Sequence, residues 1–268
     1  MSKKNKWLVL TAGLGNSNFE LAASRIEKAF RENNFADAVE IVTLDNLTQV
    51  CPITSKLFSE HMNSQTKGFG FMSWKPEIIL AGLSGYWGEF QGVVWIDAGC
   101  EIMSTRITRS RFKFYQRFAI CNGVASFTLN TKEVQYTKRD LFEYFSEIDP
   151  KSAGSQIQTT WIFFHGATGM KIAREWLDVV TKDIKFINLE PSEKSEYPEF
   201  IENRNDQSVF SLVCKKNNIS PMKYRPTSGF GSLGAYLNGF IHPIWTSRNR
   251  TGNTVKSKFH ILIERIFL

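Results

Sequence analysis

Residues 6–44 read KWLVLTAGLGNSNFELAASRIEKAFRENNFADAVEIVTL, and this stretch decides the fold. Its first part, KWLVLTAGLG (6–15), is an apolar run that stops in a glycine loop, which predicts a buried strand. From residue 17 to 33 the apolar side chains Phe19, Ala22, Ala23, Ile26 and Phe30 recur at helical spacing. Ser17 or Asn18 is available as the cap of that helix. AVEIVTL (38–44) is a second strand. Strand, helix and strand within about forty residues make a βαβ unit, which predicts a parallel pair with a right-handed crossover.

The pattern continues along the chain. Residues 45–73 read as loop and short helix, closing on TKGFGFMS. WKPEIILAGLSG (74–85) reads as a helix with Pro76 in its first turn, where a missing N–H does no harm. GVVWIDAG (92–99) is a strand, and RFAICNGVASFTL (117–129) predicts one or two more. TKRDLFEYF (137–145), GMKIAREWLDVVTKD (169–183) and NDQSVFSLVCKKNN (205–218) predict helices, and TTWIFFHG (159–166) a strand. Residues 219–251 are rich in Gly, Pro and Arg and read as loops over a site. No internal repeat or linker is visible. The expectation is a single α/β domain over residues 1–250, with a mostly parallel central sheet flanked by helices. A tail, residues 251–268, packs on it or lies at a membrane surface.

Composition narrows the classes. The chain has 268 residues, 42% hydrophobic and 13% aromatic, ample for a continuous core and too apolar for disorder. Net charge is +7, which suits phosphate-rich ligands, an anionic membrane face or nucleic acid. The positives fall in short groups such as TRITRSRFK and SRNR, without a basic stripe interleaved with aromatics, which argues against nucleic acid. Cys51, Cys100, Cys121 and Cys214 stand at no metal spacing and form no disulfide framework, so they read as reduced thiols of a cytoplasmic protein. The apolar, basic tail KFHILIERIFL suits peripheral contact with a membrane face or a last packed element.

In an α/β sheet, ligands gather at the carboxyl ends of the strands. Three features are expected on that edge: the loop after LVLTAG, Asp97 after VVWI, and the residues after TWIFF. A carboxylate there is placed to hold a divalent cation that bridges phosphates, or to cap a turn, or to pair with an Arg. GLGN (13–16) is neither a Walker A loop nor a dinucleotide fingerprint. His165 lacks a nucleophile elbow, and Cys100 lacks a base partner. Asp206 at a helix start complements the dipole, whereas Gln207 has no such reason. Lys75 also opens a helix, where a cation is unfavourable without a nearby anion.

Taken in order, SRIEKAFRENNFADAVEIVTLDNL (24–47), GFGFMSWKPEIIL (68–80), VVWIDAGCEI (93–102), YTKRDLFEYF (136–145), EWLD (175–178) and NRNDQSVFSLVCKK (203–216) carry a likeness. The chain resembles bacterial and viral sugar transferases of the GT-A type, a group found in capsule and surface-polysaccharide loci. It is more distantly similar to glycogenin-like and lipooligosaccharide galactosyltransferases. The resemblance implies a nucleotide-diphospho-sugar binding sheet, a UDP- or GDP-linked donor, a glycan or lipid-linked acceptor, and Mn²⁺ or Mg²⁺. Asp206 and Gln207 then hold and assist the donor sugar. Thr11, Ala12, Gly13, Trp74, Lys75, Asp97, Ala98 and Gly99 line the donor, and Asp97, Glu101 and His242 supply the metal. Trp74 and Trp245 offer stacking surfaces or pack in the core.

The sequence departs from the family's Asp-x-Asp pattern, because Gly99 stands where the second acid belongs. In an extended chain Asp97 and Glu101 are about 13 Å apart, so Glu101 joins the same cation only if the chain turns sharply at Gly99. A metal-free site, with Lys75 or the arginines of TSRNR neutralising the diphosphate, remains open. An amide is a poor general base, so Gln207 favours a retaining path; in an inverting one Asp206 is the base. The alternative is a non-catalytic nucleotide-sugar or glycan-binding protein of the same fold.

Overall fold

The computed structural model describes residues 6–223 and 241–250. The tail expected at 251–268 and much of the predicted site loop lie outside the described residues. The strands are β1 (Trp7–Ala12), β2 (Ala38–Val42), β3 (Gly92–Ile96), β4 (Glu101–Ile102), β5 (Val124–Ala125), β6 (Thr128–Lys132), β7 (Ser155–Ile157), β8 (Trp161–His165) and β9 (Ile244–Trp245). The five-stranded central sheet has the order β2-β1-β3-β8-β5. β1 pairs in parallel with β2 and β3, while β8 runs antiparallel to its neighbours β3 and β5. Four strands therefore point one way and one is reversed: the fold is α/β with a mostly parallel sheet.

Both faces of the sheet are covered. On one face Leu8, Leu10, Val93, Trp95, Ile162 and Phe164 pack with Ile78, Ile172, Trp176 and Phe210. These last belong to the helices Lys75–Leu83, Gly166–Lys182 and Asp206–Lys216. On the other face Val9, Val94, Ile96 and Phe163 meet Ile26, Phe30, Phe112 and Tyr115 from the helices Ser17–Asn33 and Arg106–Asn122. Alternate residues of each strand point to opposite faces, so a strand between two helical layers must be apolar throughout. β1 and β3 are buried at every position.

The expected βαβ unit is present, with Asn16 rather than Ser17 or Asn18 as the cap of its helix; the Asn16 side chain accepts from the Asn18 N–H at 3.0 Å. Residues 117–122, expected as strand, instead finish the helix Arg106–Asn122. Its buried positions Phe112, Tyr115 and Ala119 keep helical spacing, but exposed Phe114 and Ile120 blur that stripe in the sequence.

This helix ends at Gly123, whose φ is +81°. A Cβ there would sit 2.4 Å from the Thr168 Cβ, in the first turn of the helix Gly166–Lys182. Both the backbone conformation and the helix contact require glycine. Gly123→Ala is therefore expected to lower the unfolding free energy by about 2 kcal/mol or more. Denaturant unfolding measures this; an unchanged midpoint would show that the two helices yield easily.

Candidate functional site

Three segments meet at the carboxyl end of β3. The strand closes on Ile96, and Asp97 follows at the rim with its N–H donated to the Thr160 carbonyl at 2.8 Å. The Trp95 indole N–H donates to Asp97 Oδ1 at 2.7 Å. Lys75 Nζ lies 3.1 Å from that same oxygen and 2.9 Å from Asp206 Oδ2. The ammonium thus bridges two carboxylates. Lys75 and Asp206 are buried, whereas the Asp97 side chain keeps 32% of its surface exposed. Only Asp97 gives this cluster direct access to solvent.

The electrostatics follow from burial. Desolvation opposes the charged form of Lys75, but the Asp206 and Asp97 carboxylates outweigh it and its pKa moves up. For Asp206, burial outweighs the Lys75 attraction, and its pKa rises above the ordinary carboxylate range. With both acids ionised the cluster carries one net negative charge.

Lys75 and Asp206 enter the site from unusual backbone. Gly68, Phe69, Gly70, Phe71 and Met72 all have φ between 52° and 86°, a left-handed turn that only glycine adopts readily. The Trp74 indole N–H donates to the Phe69 carbonyl at 2.9 Å and fastens this turn to the start of the Lys75 helix. Asn205, with φ 52° and ψ −122°, precedes Asp206, and its side-chain amide donates to the Ile187 carbonyl. Strained backbone of this kind survives where surrounding contacts over-determine it, and it gathers at functional sites.

The remaining expected residues fall in several places. Thr11, Ala12 and Gly13 are buried at the end of β1, with the Gly13 N–H bound to the Val42 carbonyl. Trp74 packs in the core against Trp95, at 5.8 Å between ring centroids. Gln207 is half-buried and donates to Gln156 Oε1 at 2.6 Å. His165 lies at the far end of β8, paired with Gly92 at the start of β3, on the opposite edge from Asp97.

The expected metal set is not assembled. The chain does turn at Gly99, with the Cys100 N–H on the Asp97 carbonyl, yet Glu101 does not swing to Asp97. It is buried in the β4–β9 pair, accepts from the Asn249 amide at 2.9 Å, and faces the Arg25 charge. His242 belongs to the core on the opposite face of the sheet. It is 2% exposed, its Nδ1 is hydrogen-bonded to the Tyr115 hydroxyl, and its ring stacks on Tyr115 at 13°. Among the described residues no group of three or more His, Cys, Asp or Glu is placed to hold a metal ion. Asp97 and Asp206 do converge, but the Lys75 ammonium sits between them, so they do not fit a cation.

Sequence reasoning misses Arg25. Its Nη2 donates to the carbonyls of Ala98 at 3.0 Å, Cys100 at 2.8 Å and Asn249 at 3.1 Å. It clasps the Asp97–Cys100 turn to residues 245–250. The signal in the sequence is a charge beside Ala22 and Ile26 on the apolar stripe of its helix.

Among solved structures, the chain is similar to mouse xyloside xylosyltransferase 1 in its apo form. The identity is 12% and the TM-score 0.44, over 82% of this chain and 85% of that one. It is similar to the apo structure of the bifunctional glycosyltransferase WbbM at 11% identity and TM-score 0.46, over 99% of this chain but 52% of that one. A third likeness is to mannose-1-phosphate geranyltransferase from Thermus thermophilus, at 9% identity and TM-score 0.34, over 66% of this chain and 64% of that one. No family model and no curated protein matches the chain.

Two predictions test this electrostatic description. Lys75→Met keeps the packing but leaves two carboxylates without their cation, and is expected to cost about 3–5 kcal/mol near neutral pH. Without the ammonium, the Asp206 pKa, already raised by burial, climbs further. A raised carboxylate contributes stability below its unfolded value and loses it as pH rises through its folded value. The variant is therefore expected to recover stability on acidification from about pH 7.5 to about pH 5. Wild-type stability in the variant at the higher pH would contradict the bridge.

Burial, with the Arg111 charge, pushes the His242 pKa down to about 3. A neutral buried imidazole has its full stability above the unfolded value of about 6.5, and that stability is lost as pH falls toward the folded value. His242→Gln should flatten the acid limb of a stability–pH curve by up to about 1.4 kcal/mol per pH unit. An unaltered limb would place the titration elsewhere.

Proposed function

We propose that this chain is a glycosyltransferase that moves a sugar from a UDP- or GDP-linked donor to a surface-glycan or lipid-linked acceptor. The observation that carries this reading is the acid–lysine–acid bridge at the carboxyl end of β3. A buried cluster of this kind offers hydrogen-bond acceptors held rigidly at a sheet rim where small polar ligands bind. The sequence resemblance supplies the reaction class; Lys75, Asp97 and Asp206 are the positions that carry both arguments, and Gln207 carries the resemblance alone.

The roles follow from the contacts. Trp95 and Lys75 both meet the Asp97 carboxylate at Oδ1, which leaves Oδ2 to accept hydroxyls of the donor. Lys75 holds the Asp97 and Asp206 carboxylates in place, so it is a positioning residue. Gln207, half-buried beside Asp206, presents a neutral amide next to the reacting sugar. In the transfer the bond from the anomeric carbon to the phosphate oxygen breaks, and its electron pair leaves with the nucleoside diphosphate. The acceptor oxygen forms the new bond to that carbon, and its proton passes to the departing phosphate oxygen. The oxocarbenium character of such a transition state is eased by nearby carboxylates. This same-face course retains configuration. Of the donor-lining residues that the resemblance implies, Asp97 and Gly99 reach the surface, whereas Thr11–Gly13 and Ala98 are buried beneath it.

The resemblance also implies Mn²⁺ or Mg²⁺, but the residues present do not fit a metal set, and no step above needs one. The loss of an acid at Gly99 favours a second reading, a non-catalytic nucleotide-sugar or glycan-binding protein. Among the described residues no helix is long and apolar enough to cross a membrane.

Titration calorimetry with UDP- and GDP-sugars is expected to show binding of one of them. Slow hydrolysis of that donor without acceptor would separate the transferase from the mere binder. Asp97→Asn should lower turnover by at least about tenfold, the effect of weakening one charge-assisted contact in the transition state. Full turnover in that variant removes Asp97 from the site, and binding of no nucleotide sugar sinks the proposal.

A further inference from the structure

The charge at the site poses a problem that the bridge does not solve. Lys75 balances one of its two acids, so the cluster keeps a net negative charge against any incoming diphosphate. Positive charge must come from another direction. Residues 245–250 supply it. This strap lies against the turn after β3: Asn249 N–H donates to the Gly99 carbonyl at 3.0 Å, and so does the Ser247 hydroxyl at 3.0 Å. Arg25 and Glu101 hold Asn249 from the other side.

Gly99 lies directly against this strap. A Cβ built there would lie 3.5 Å from the Arg248 Cα, 3.7 Å from its carbonyl carbon and 3.9 Å from the Asn249 oxygen. The strap carries two exposed arginines, Arg248 and Arg250. Arg248 is held at φ 56°. The Arg250 guanidinium lies 5.3 Å from the Phe19 ring centroid, and Phe19 borders Gly15 in the loop after β1. The two arginines therefore flank the rim between that loop and the Asp97–Gly99 turn.

We infer that the donor's diphosphate is bound by the guanidinium groups of Arg248 and Arg250, in place of a divalent cation. The inference rests on the proposed nucleotide-sugar site. Guanidinium pairs a phosphate through two parallel N–H donors and stays ionised at any physiological pH, so it can carry the charge that a metal ion would otherwise carry. Asp97, the acid of the cluster that reaches solvent, remains available to donor hydroxyls.

The test uses the whole chain, treated with chelator, titrated with UDP and with GDP. The expected result is binding in the presence of EDTA, unchanged on adding Mn²⁺. It should weaken with salt, and fall at least tenfold in the double variant Arg248→Gln/Arg250→Gln. Binding that requires Mn²⁺ or Mg²⁺ overturns the inference and leaves the transferase reading standing. Metal-free binding that the double variant leaves unchanged also overturns it. Absence of binding to either nucleotide, with or without metal, sinks both readings together. The chelated wild type decides the metal question even if the double variant does not fold.

Discussion

A lysine ammonium with 1% of its side-chain surface exposed is tolerable only if opposite charge surrounds it. Here Asp206 and Asp97 do so from two different segments, at 2.9 and 3.1 Å. The three residues come from positions 75, 97 and 206, so the bridge closes long stretches of chain around one point. It also fixes the start of two helices on one face of the sheet relative to the end of β3. Such an anchor is stiff, because Asp206 cannot move without leaving a charge unpaired in the interior.

The backbone around the bridge makes sense in that light. A left-handed run over Gly68–Met72 and an unusual Asn205 would each cost free energy in isolation. Both closely precede a member of the bridge. The Trp74 indole and the Asn205 amide donate their hydrogen bonds to main-chain carbonyls, which holds these segments in place. The strain and the buried charge are two sides of one arrangement: helices that start where the ions need them, reached by chain that must bend sharply to arrive.

Much of this is legible in the sequence, and the reasons are physical. Strands between two helical layers must be apolar at every position, so β1, β3 and β8 announce themselves as unbroken runs. The helix Ser17–Asn33 follows from its spacing alone. The reversed direction of β8 is not legible, because periodicity carries no sense of direction. Lys75, Asp97 and Asp206 can each be named, Lys75 for its unfavourable place at a helix start. Their mutual pairing cannot, since nothing in spacing links positions so far apart. Glu101 and His242 mislead because acids and imidazoles are equally at home in buried hydrogen bonds. Glu101 serves Asn249 and Arg25, and His242 serves Tyr115.

Arg25 ties these threads together. A guanidinium buried on an apolar helix stripe is unfavourable unless it is hydrogen-bonded, and Nη2 donates toward three carbonyls from two segments. Two of those carbonyls belong to the turn that carries Asp97, and the third to the strap that carries Arg248 and Arg250. The turn after β3 and the strap are thereby fixed to one another through a single side chain. Asp97 is engaged by Lys75 and Trp95, and the neighbouring strap carries the exposed Arg248 and Arg250.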